Sequence, residues 1–254
     1  MALANDRCIC LRRIEYSETS QILLLFSREH GTIRVIAKGA HRRTKAGASK
    51  FDGGIDLLDI GEAVFMHDPQ RDLGTLTEWS LREGHPELRR SLRGLYLGMY
   101  AAELVAMLIE EHDPHPQLFD RLEGCLLELG TARAEEAFLA FELDLLRETG
   151  YLVELNACVG CGQELTDGTI YFSPASSGIV CRNCEGGYPD RVGLDARLLR
   201  LVQGMMKLPR SNGHAQRLPK LTRHQTDPIN RLFAGHVEHT LGRRLRMTGY
   251  VLGK

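Results

Sequence analysis

No run of about 18 apolar residues, the length a membrane-spanning helix needs, occurs in the 254-residue chain. The opening MALANDRCICLRRIEYSE carries charges ahead of any apolar stretch long enough for a signal peptide, so a cytoplasmic protein is expected. Neither a G-x-x-x-x-G-K-[ST] phosphate loop nor a G-x-G-x-x-G turn is present, which disfavours nucleotide hydrolysis. The HVEH at 236–239 is not an H-E-x-x-H zinc signature, and no P-C-x-x-C completes a deaminase site around His236 and Glu238. A polar helix face is the expectation there. Glu135, Glu136, Glu142 and Asp144 follow one another on one predicted helix; paired carboxylates for acid–base work are conceivable, and a solvated surface is the expectation. No repeat with a period of 20 to 50 residues is visible.

What is present is an ordinary globular composition, 43% hydrophobic and 26% charged, over a length that suits two modest domains. The net charge of -1 conceals a segregation. Residues 1–50 hold ten Lys/Arg against four acids, residues 83–150 hold six against fourteen, and residues 194–254 hold twelve against three. Basic ends thus flank an acidic middle, which either presents faces of opposite potential or is simply solvated surface.

Five short β-rich runs, CICLRR, SQILLLFS, TIRVIAKG, GIDLLDIGEAVFMHD and GTLTEWSL, are separated by turn signals between residues 7 and 82. They predict a small five-stranded barrel, the OB-fold first and an SH3-like barrel second, and OB barrels commonly hold oligonucleotides. After Pro86 the period becomes helical. One long amphipathic helix carries Leu88, Leu92, Leu95, Met99, Ala102, Val105, Ala106 and Ile109; two more follow, ending at Gly130 and Gly150, and read as a bundle. Further helices are predicted over 194–208 and about 226–244. The expected class is α+β, with an OB-fold domain over 1–82 and a helical domain over 83–254, interrupted at about 155–192.

The interruption, CVGCGQELTDGTIYFSPASSGIVCRNCEGG, sets Cys158-x-x-Cys161 19 residues ahead of Cys181-x-x-Cys184. That spacing fits the C-x₂-C…C-x₂-C zinc template. Each turn brings two thiolates to one metal, and two turns close a tetrahedral structural site with no position left for a reactive water. Two disulfides would need an oxidising compartment, and a redox pair would need the βαβ setting of a thioredoxin-like site. Cys8, Cys10 and Cys125 read as small buried residues.

The segment AKGAHRRTKAGASK, residues 37–50, contains five Lys/Arg, one His and no acid. As the connection after the third strand it would carry Lys38, His41, Arg42, Arg43, Lys45 and Lys50 close in sequence to Arg34, among small neighbours that let cations settle on phosphates. Such contacts release counterions and give salt-sensitive binding. Tyr16, Phe26 and Phe51 are candidates for base stacking, with the core as the alternative for each. Near the C-terminus, Arg231, Arg243, Arg244 and Arg246 are candidates for phosphates or for an acidic partner segment, with Leu232, Phe233 and Leu241 as apolar neighbours.

The segment YSETSQILLLFSREHGTIRVIAKGAHRRTKAGASKFDGGIDLLDIGEAVF, the helical middle, the cysteine insert and the ending INRLFAGHVEHTLGRRLRMTGYVL together resemble, in that order, the bacterial RecO recombination-mediator family. The resemblance implies an N-terminal OB-fold, a helical C-terminal domain and a zinc module, for which all four cysteines are present. It also implies a non-enzymatic DNA repair protein of the bacterial cytoplasm and nucleoid, which binds single- and double-stranded DNA and anneals complementary strands. Its implied partners are RecR and single-stranded DNA-binding protein, and through them RecA. Left open beside this are a carboxylate-dependent nucleic-acid-processing enzyme and a zinc-ribbon module that binds RNA.

Overall fold

The computed structural model describes residues 2–41, 50–51, 53–67, 72–207 and 220–253. Arg42, Arg43 and Lys45 of the basic segment lie outside the described residues. The chain forms two compact units, Met1–Ala134 and Glu135–Lys254.

The first unit opens with strands β1 (Ala2–Ser17), β2 (Ser20–Ser27), β3 (Gly31–Ala37), β4 (Ile60–His67) and β5 (Gly74–Glu83), closed into a barrel in the order β1-β2-β3-β5-β4. This is the OB-fold, with its one parallel pairing between β3 and β5. Strand β1 reaches much further toward the N-terminus than its sequence run, because it serves both halves of the barrel. Ala2 to Ile9 pairs with β4, and Cys8 to Ser17 pairs with β2. The register shifts between Cys10 and Arg12, so Leu11 is an extra residue, the bulge that bends a strand from one half of a barrel into the other. Period-2 alternation sends Leu23, Leu25, Ile33, Val35, Ala63 and Phe65 inward, and a bulge at Thr77 lets both Leu76 and Trp79 of β5 face the same core. Cys8 and Cys10 join them as expected, and burial pushes both thiols up. Phe26 and Phe51 are buried too, so two of the three aromatics weighed for base stacking are core.

The single long helix expected after Pro86 is two: α1 (Pro86–Arg90) and α2 (Leu92–Leu108). Ser91 between them is extended, and its Oγ accepts from Gly94 N at 3.0 Å, an N-cap that starts a new helix inside an uninterrupted apolar period. Helix α3 (Pro116–Glu128) packs Phe119 against Phe26 with ring centroids 5.6 Å apart. Arg28 clamps Asp120 through two 2.8 Å bonds, and Arg7 reaches both Asp120 and Glu123 at 3.3 Å. Helices α2 and α3 and their connection therefore dock on the barrel at its β2–β3 turn, where Thr32 Oγ1 donates to Glu110 O and His112 N donates to Thr32 O.

The second unit takes in all but the first residue of α4 (Ala134–Glu148), then a three-stranded sheet of order β7-β6-β8, with β6 (Ile170–Ser173), β7 (Gly178–Cys181) and β8 (Val192–Leu194). Helices α5 (Ala196–Met206), α6 (Arg223–Leu241) and α7 (Thr248–Val251) follow. Helix α6 starts at Arg223, earlier than the pattern suggested, because Gln225 Oε1 accepts from Thr222 N at 2.9 Å and Pro228 is carried inside the helix.

Two surface expectations fail in part in this unit, since His239 is exposed and Glu238, Glu135 and Asp144 are half-buried. His236 is only 3% exposed; its ring nitrogens lie 3.1 Å from Tyr151 O and 3.5 Å from Pro174 O, so the HVEH stretch ties α6 to two loops. Glu136 and Glu142 are buried, because α4 is enclosed on most of its circumference, with Ala137, Phe138, Leu139, Phe141, Leu143, Leu145 and Leu146 buried beside them. Among the described residues no helix is long and apolar enough to cross a membrane.

Candidate metal centre and nucleic-acid interface

The two C-x-x-C turns are built alike and brought together by the small sheet. Cys158 begins a tight hairpin in which its N donates to Gln163 O and its O accepts from Gly162 N, both at 2.8 Å, with Gly162 at φ +73°. Cys181 ends β7, and Cys184 N folds back on Cys181 O at 3.1 Å. A Cβ on Gly160 would stand 3.2 Å from Cys184 Sγ and 2.9 Å from the Tyr188 hydroxyl, so this close approach of the turns requires glycine. On the far side Gln203 Nε2 of α5 donates to Leu155 O at 2.7 Å and Leu165 O at 3.1 Å, holding both ends of the first turn.

As a result the four Sγ atoms all lie within 4.8 Å of one another. Burial alone would raise the Cys158 thiol. Backbone N–H groups, including Gly160 and Cys181 at 3.4 and 3.3 Å from its Sγ, overcome this and pull it down to about 6. Cys184 is pushed up to about 12, chiefly by its contact with Cys181 and then by desolvation. Backbone N–H groups thus favour a thiolate at Cys158, while hydrogen bonding and desolvation favour the protonated thiol at Cys184. Four soft sulfur donors in a closed set fit a structural d¹⁰ ion better than a hard, oxygen-seeking one.

The basic positions on the barrel are arranged less simply than their spacing in sequence suggests. Lys38 is exposed just past β3 and has no ionic partner among the described residues. Arg34 projects from β3 but is paired with Glu111. His41 is held locally, 3.3 Å from Gly53 O and 3.1 Å from Glu15 Oε2, and Glu15 is kept below the ordinary carboxylate range by hydrogen bonds from Gln21 and His41. Lys50 faces a recess of about 470 Å³ that it shares with Asn5, Glu62, Glu78 and Trp79. Among the described residues, Lys38 and Lys50 are thus free cations, while Arg34 and His41 have acidic partners. Tyr16, 65% exposed, is the one aromatic of the three at the surface.

One cation escapes a reading based on runs of charge. In CICLRRIEY, Arg13 is neutralised by Asp56 at 2.7 Å and Glu15 at 3.4 Å, while Arg12 is exposed with no ionic partner among the described residues. Strand alternation separates the two, yet the bulge at Leu11 hides which of them points outward.

In the second unit, α5, α6 and the sheet enclose a groove of about 1160 Å³. Leu198, Leu201, Leu232, Phe172 and Val192 line it, with Arg197, Arg200 and Arg231 at its edges. Arg231 donates to Leu252 O at 2.7 Å. Arg243 and Arg244 face a separate recess with Asp190, Glu238 and His239, and Arg246 is exposed beyond it. Leu232 reaches the groove, whereas Phe233 is core and Leu241 half-buried.

Fold and site together define an OB-fold protein whose second unit is organised around a tetracysteine knuckle. The family model described as recombination protein O N terminal matches residues 1–85, and that described as recombination protein O C terminal matches residues 89–248. The chain belongs to the recombination protein O family. A DNA repair protein RecO of Anaeromyxobacter dehalogenans is 31% identical over 242 residues, 93% of this chain and 91% of the relative. The DNA repair protein RecO of Rhodopirellula baltica is 35% identical over 180 residues, 70% and 65% of the two chains, and that of Roseiflexus is 31% identical over 236 residues, 92% and 80%.

Proposed function

We propose that this chain is a recombination mediator in DNA repair: it binds single- and double-stranded DNA, anneals complementary strands, and with RecR assists the loading of RecA on DNA coated by single-stranded DNA-binding protein. The observation that carries this reading is the ordered match of both family halves along nearly the whole chain, joined to an OB barrel that bears free cations at Lys38 and Lys50. Residues 1–82 are the proposed DNA-binding domain, with Arg34, Lys38, His41, Arg42, Arg43, Lys45 and Lys50 on phosphates, and residues 83–254 the proposed partner-binding domain. The cell compartment that goes with this is the bacterial cytoplasm and nucleoid.

Annealing needs no catalytic group. Two strands repel through their phosphates, and a protein that offsets this charge while leaving bases accessible speeds their pairing. Zinc is the proposed ion for Cys158, Cys161, Cys181 and Cys184, where it would hold the two turns in one place. The acidic tail of single-stranded DNA-binding protein is the proposed occupant of the groove edged by Arg197, Arg200 and Arg231, with its apolar end on Leu232. The alternative of a carboxylate-dependent nuclease is weakened by Glu136 and Glu142: both are buried, and burial drives the Glu142 carboxyl toward its neutral form, a poor ligand for Mg²⁺. A zinc-ribbon RNA binder would show a preference for RNA over single-stranded DNA of matched sequence, through contacts to the 2′-hydroxyl.

The test is annealing of complementary oligonucleotides coated with single-stranded DNA-binding protein, without nucleotide. Acceleration by the wild type is expected, with loss of it in Arg42→Glu/Arg43→Glu. No acceleration by folded, metal-loaded protein overturns the mediator reading.

A further inference from the structure

The four cysteines of the knuckle are chemically alike, but the fold exposes them unequally. Cys158 and Cys181 are buried, Cys184 is half-buried and Cys161 is exposed. Cys161 stands between Gly160 and Gly162, and a Cβ added at Gly162, or at Gly186 and Gly187 after the second turn, would meet nothing within 4 Å. The outer side of the turns is thus open to a small solute. Cys161 Sγ lies 3.8 Å from Cys181 Sγ, so the accessible sulfur of the first turn touches a shielded sulfur of the second. Oxidation of a cysteine by peroxide follows thiolate character and exposure, and its reversible product needs a second thiol at hand. A closed metal site keeps all four sulfurs as thiolates; Cys161 adds the exposure and Cys181 the second sulfur. Cys8, Cys10 and Cys125 are buried and lack that access.

The same two turns hold the walls of the apolar groove. In the small sheet Cys181 pairs with Ile170 and Ile170 with Leu194, while the neighbouring row is Ile179–Phe172–Val192. Leu194, Phe172 and Val192 line the groove. Helix α5, which brings Leu198 and Leu201 to it, begins directly after Leu194. That helix is tied to the first turn by Gln203, through Leu155 O and Leu165 O, and by Arg200, which donates to Thr166 O at 2.9 Å. Strands of four, four and three residues make too small a sheet to persist alone. Sheet and helix therefore depend on the knuckle, and with them two sides of the groove.

We infer that Cys161 is a peroxide-reactive site, and that its oxidation to a disulfide with Cys181 frees the metal and dismantles the groove while leaving the barrel intact. The Cys161 thiolate attacks one oxygen of hydrogen peroxide: an S–O bond forms, the O–O bond breaks and hydroxide leaves. The Cys181 thiolate then attacks the sulfur of the resulting sulfenic acid: the S–S bond forms, the S–O bond breaks and a second hydroxide leaves. Peroxide gains the two electrons that the two thiolates lose, and two protons from solvent convert the hydroxides to water. Cys158 and Cys184 remain as two ligands, too few for a tetrahedral shell. A dithiol reductant together with zinc restores the site. This rests on the proposed zinc site, to which it adds a modification site and the element that modification governs.

The experiment exposes the full-length, zinc-loaded protein to hydrogen peroxide and follows three things: zinc released to a chromophoric chelator, disulfides mapped by mass spectrometry of peptides, and amide exchange. Peroxide should release the zinc with formation of the Cys161–Cys181 disulfide. Exchange in β8 and α5 should become about tenfold faster, with β2 and β3 unchanged, and dithiothreitol with zinc should reverse both effects. Cys161→His, which offers a ring nitrogen to the metal but cannot form the disulfide, should keep its zinc at the same peroxide concentration. If that variant fails to hold zinc, the wild-type disulfide map decides alone. Zinc retained under peroxide, a disulfide confined to other cysteine pairs, or zinc lost with unchanged exchange in β8 and α5 each overturns the inference. Reduced protein that takes up no zinc overturns the underlying metal reading instead.

Discussion

At the level of single residues, the clearest physical tension is Glu142. It is 1% exposed, and burial moves its carboxyl well above the ordinary carboxylate range. The amide of Asn230 on α6, oriented to donate, stands 3.1 Å from Glu142 Oε2 and 3.3 Å from Thr226 O. A neutral carboxyl accepts that bond without the cost of a buried charge. Because the folded chain holds this proton more tightly than the unfolded chain, its contribution is complete below the ordinary glutamate range and is lost as pH rises through the elevated folded value. Urea unfolding of wild type and Glu142→Gln across pH should therefore show the wild type losing ground steadily toward alkaline pH, while the uncharged glutamine does not. Parallel pH profiles for the two proteins would mean that Glu142 ionises normally. The acidic spelling of this helix suggested a solvated face; a carboxylate and a buried carboxylic acid are written with the same letter, and only packing tells them apart.

Among elements, the docking of α2 on the end of α3 shows how closely two backbones can be made to approach. Gly94 lies one turn into α2, and a Cβ there would run into the carbonyl oxygen of Leu129. In an isolated helix Gly→Ala gains about 1 kcal/mol. Here the methyl meets backbone that cannot swing aside, and overpacking of this kind costs about 1–3 kcal/mol. Gly94→Ala should thus lower the melting temperature of the first unit instead of raising it, as thermal unfolding followed by circular dichroism will show. Strand periodicity located all five barrel strands and helical periodicity located α3, α4 and α5. Periodicity missed the break at Ser91, since a cap is a hydrogen bond to Gly94 N and leaves no mark on the apolar pattern. It also missed most of the N-terminal half of β1, where ALANDR lacks the alternation of a half-buried strand although it pairs with β4 residue by residue.

For the molecule as a whole, the cysteine cluster is expected to be a cofactor-dependent part of an otherwise self-sufficient fold. The barrel core draws on β1–β5 and their connections, while the four cysteines order the sheet that α5 grips through Gln203. Protein prepared under reducing conditions should contain equimolar zinc. Chelation, or Cys161→Ser, should then loosen the second unit, seen as faster amide exchange over 155–194, while exchange in β2 and β3 stays as slow as before. Metal-free protein with unchanged exchange throughout would exclude a structural metal.

Some of this was settled by the order of residues alone. Two C-x-x-C pairs 19 residues apart can reach one ion through short-range turns, so spacing was enough to group Cys158, Cys161, Cys181 and Cys184. Five alternating runs with turn residues between them were enough for a small barrel, because which side of a strand is buried repeats every second residue. What tertiary structure decided is which charges are free. Arg12 and Arg13 are adjacent and chemically identical, but Asp56 and Glu15 meet only one of them; Arg34 finds Glu111, which is 77 positions away along the chain, and Lys38 finds no acid among the described residues. Ion pairing depends on distance in space and is screened beyond roughly 8–10 Å in water at ordinary salt. The sequence lists the cations, and the fold determines which of them remain to meet a phosphate.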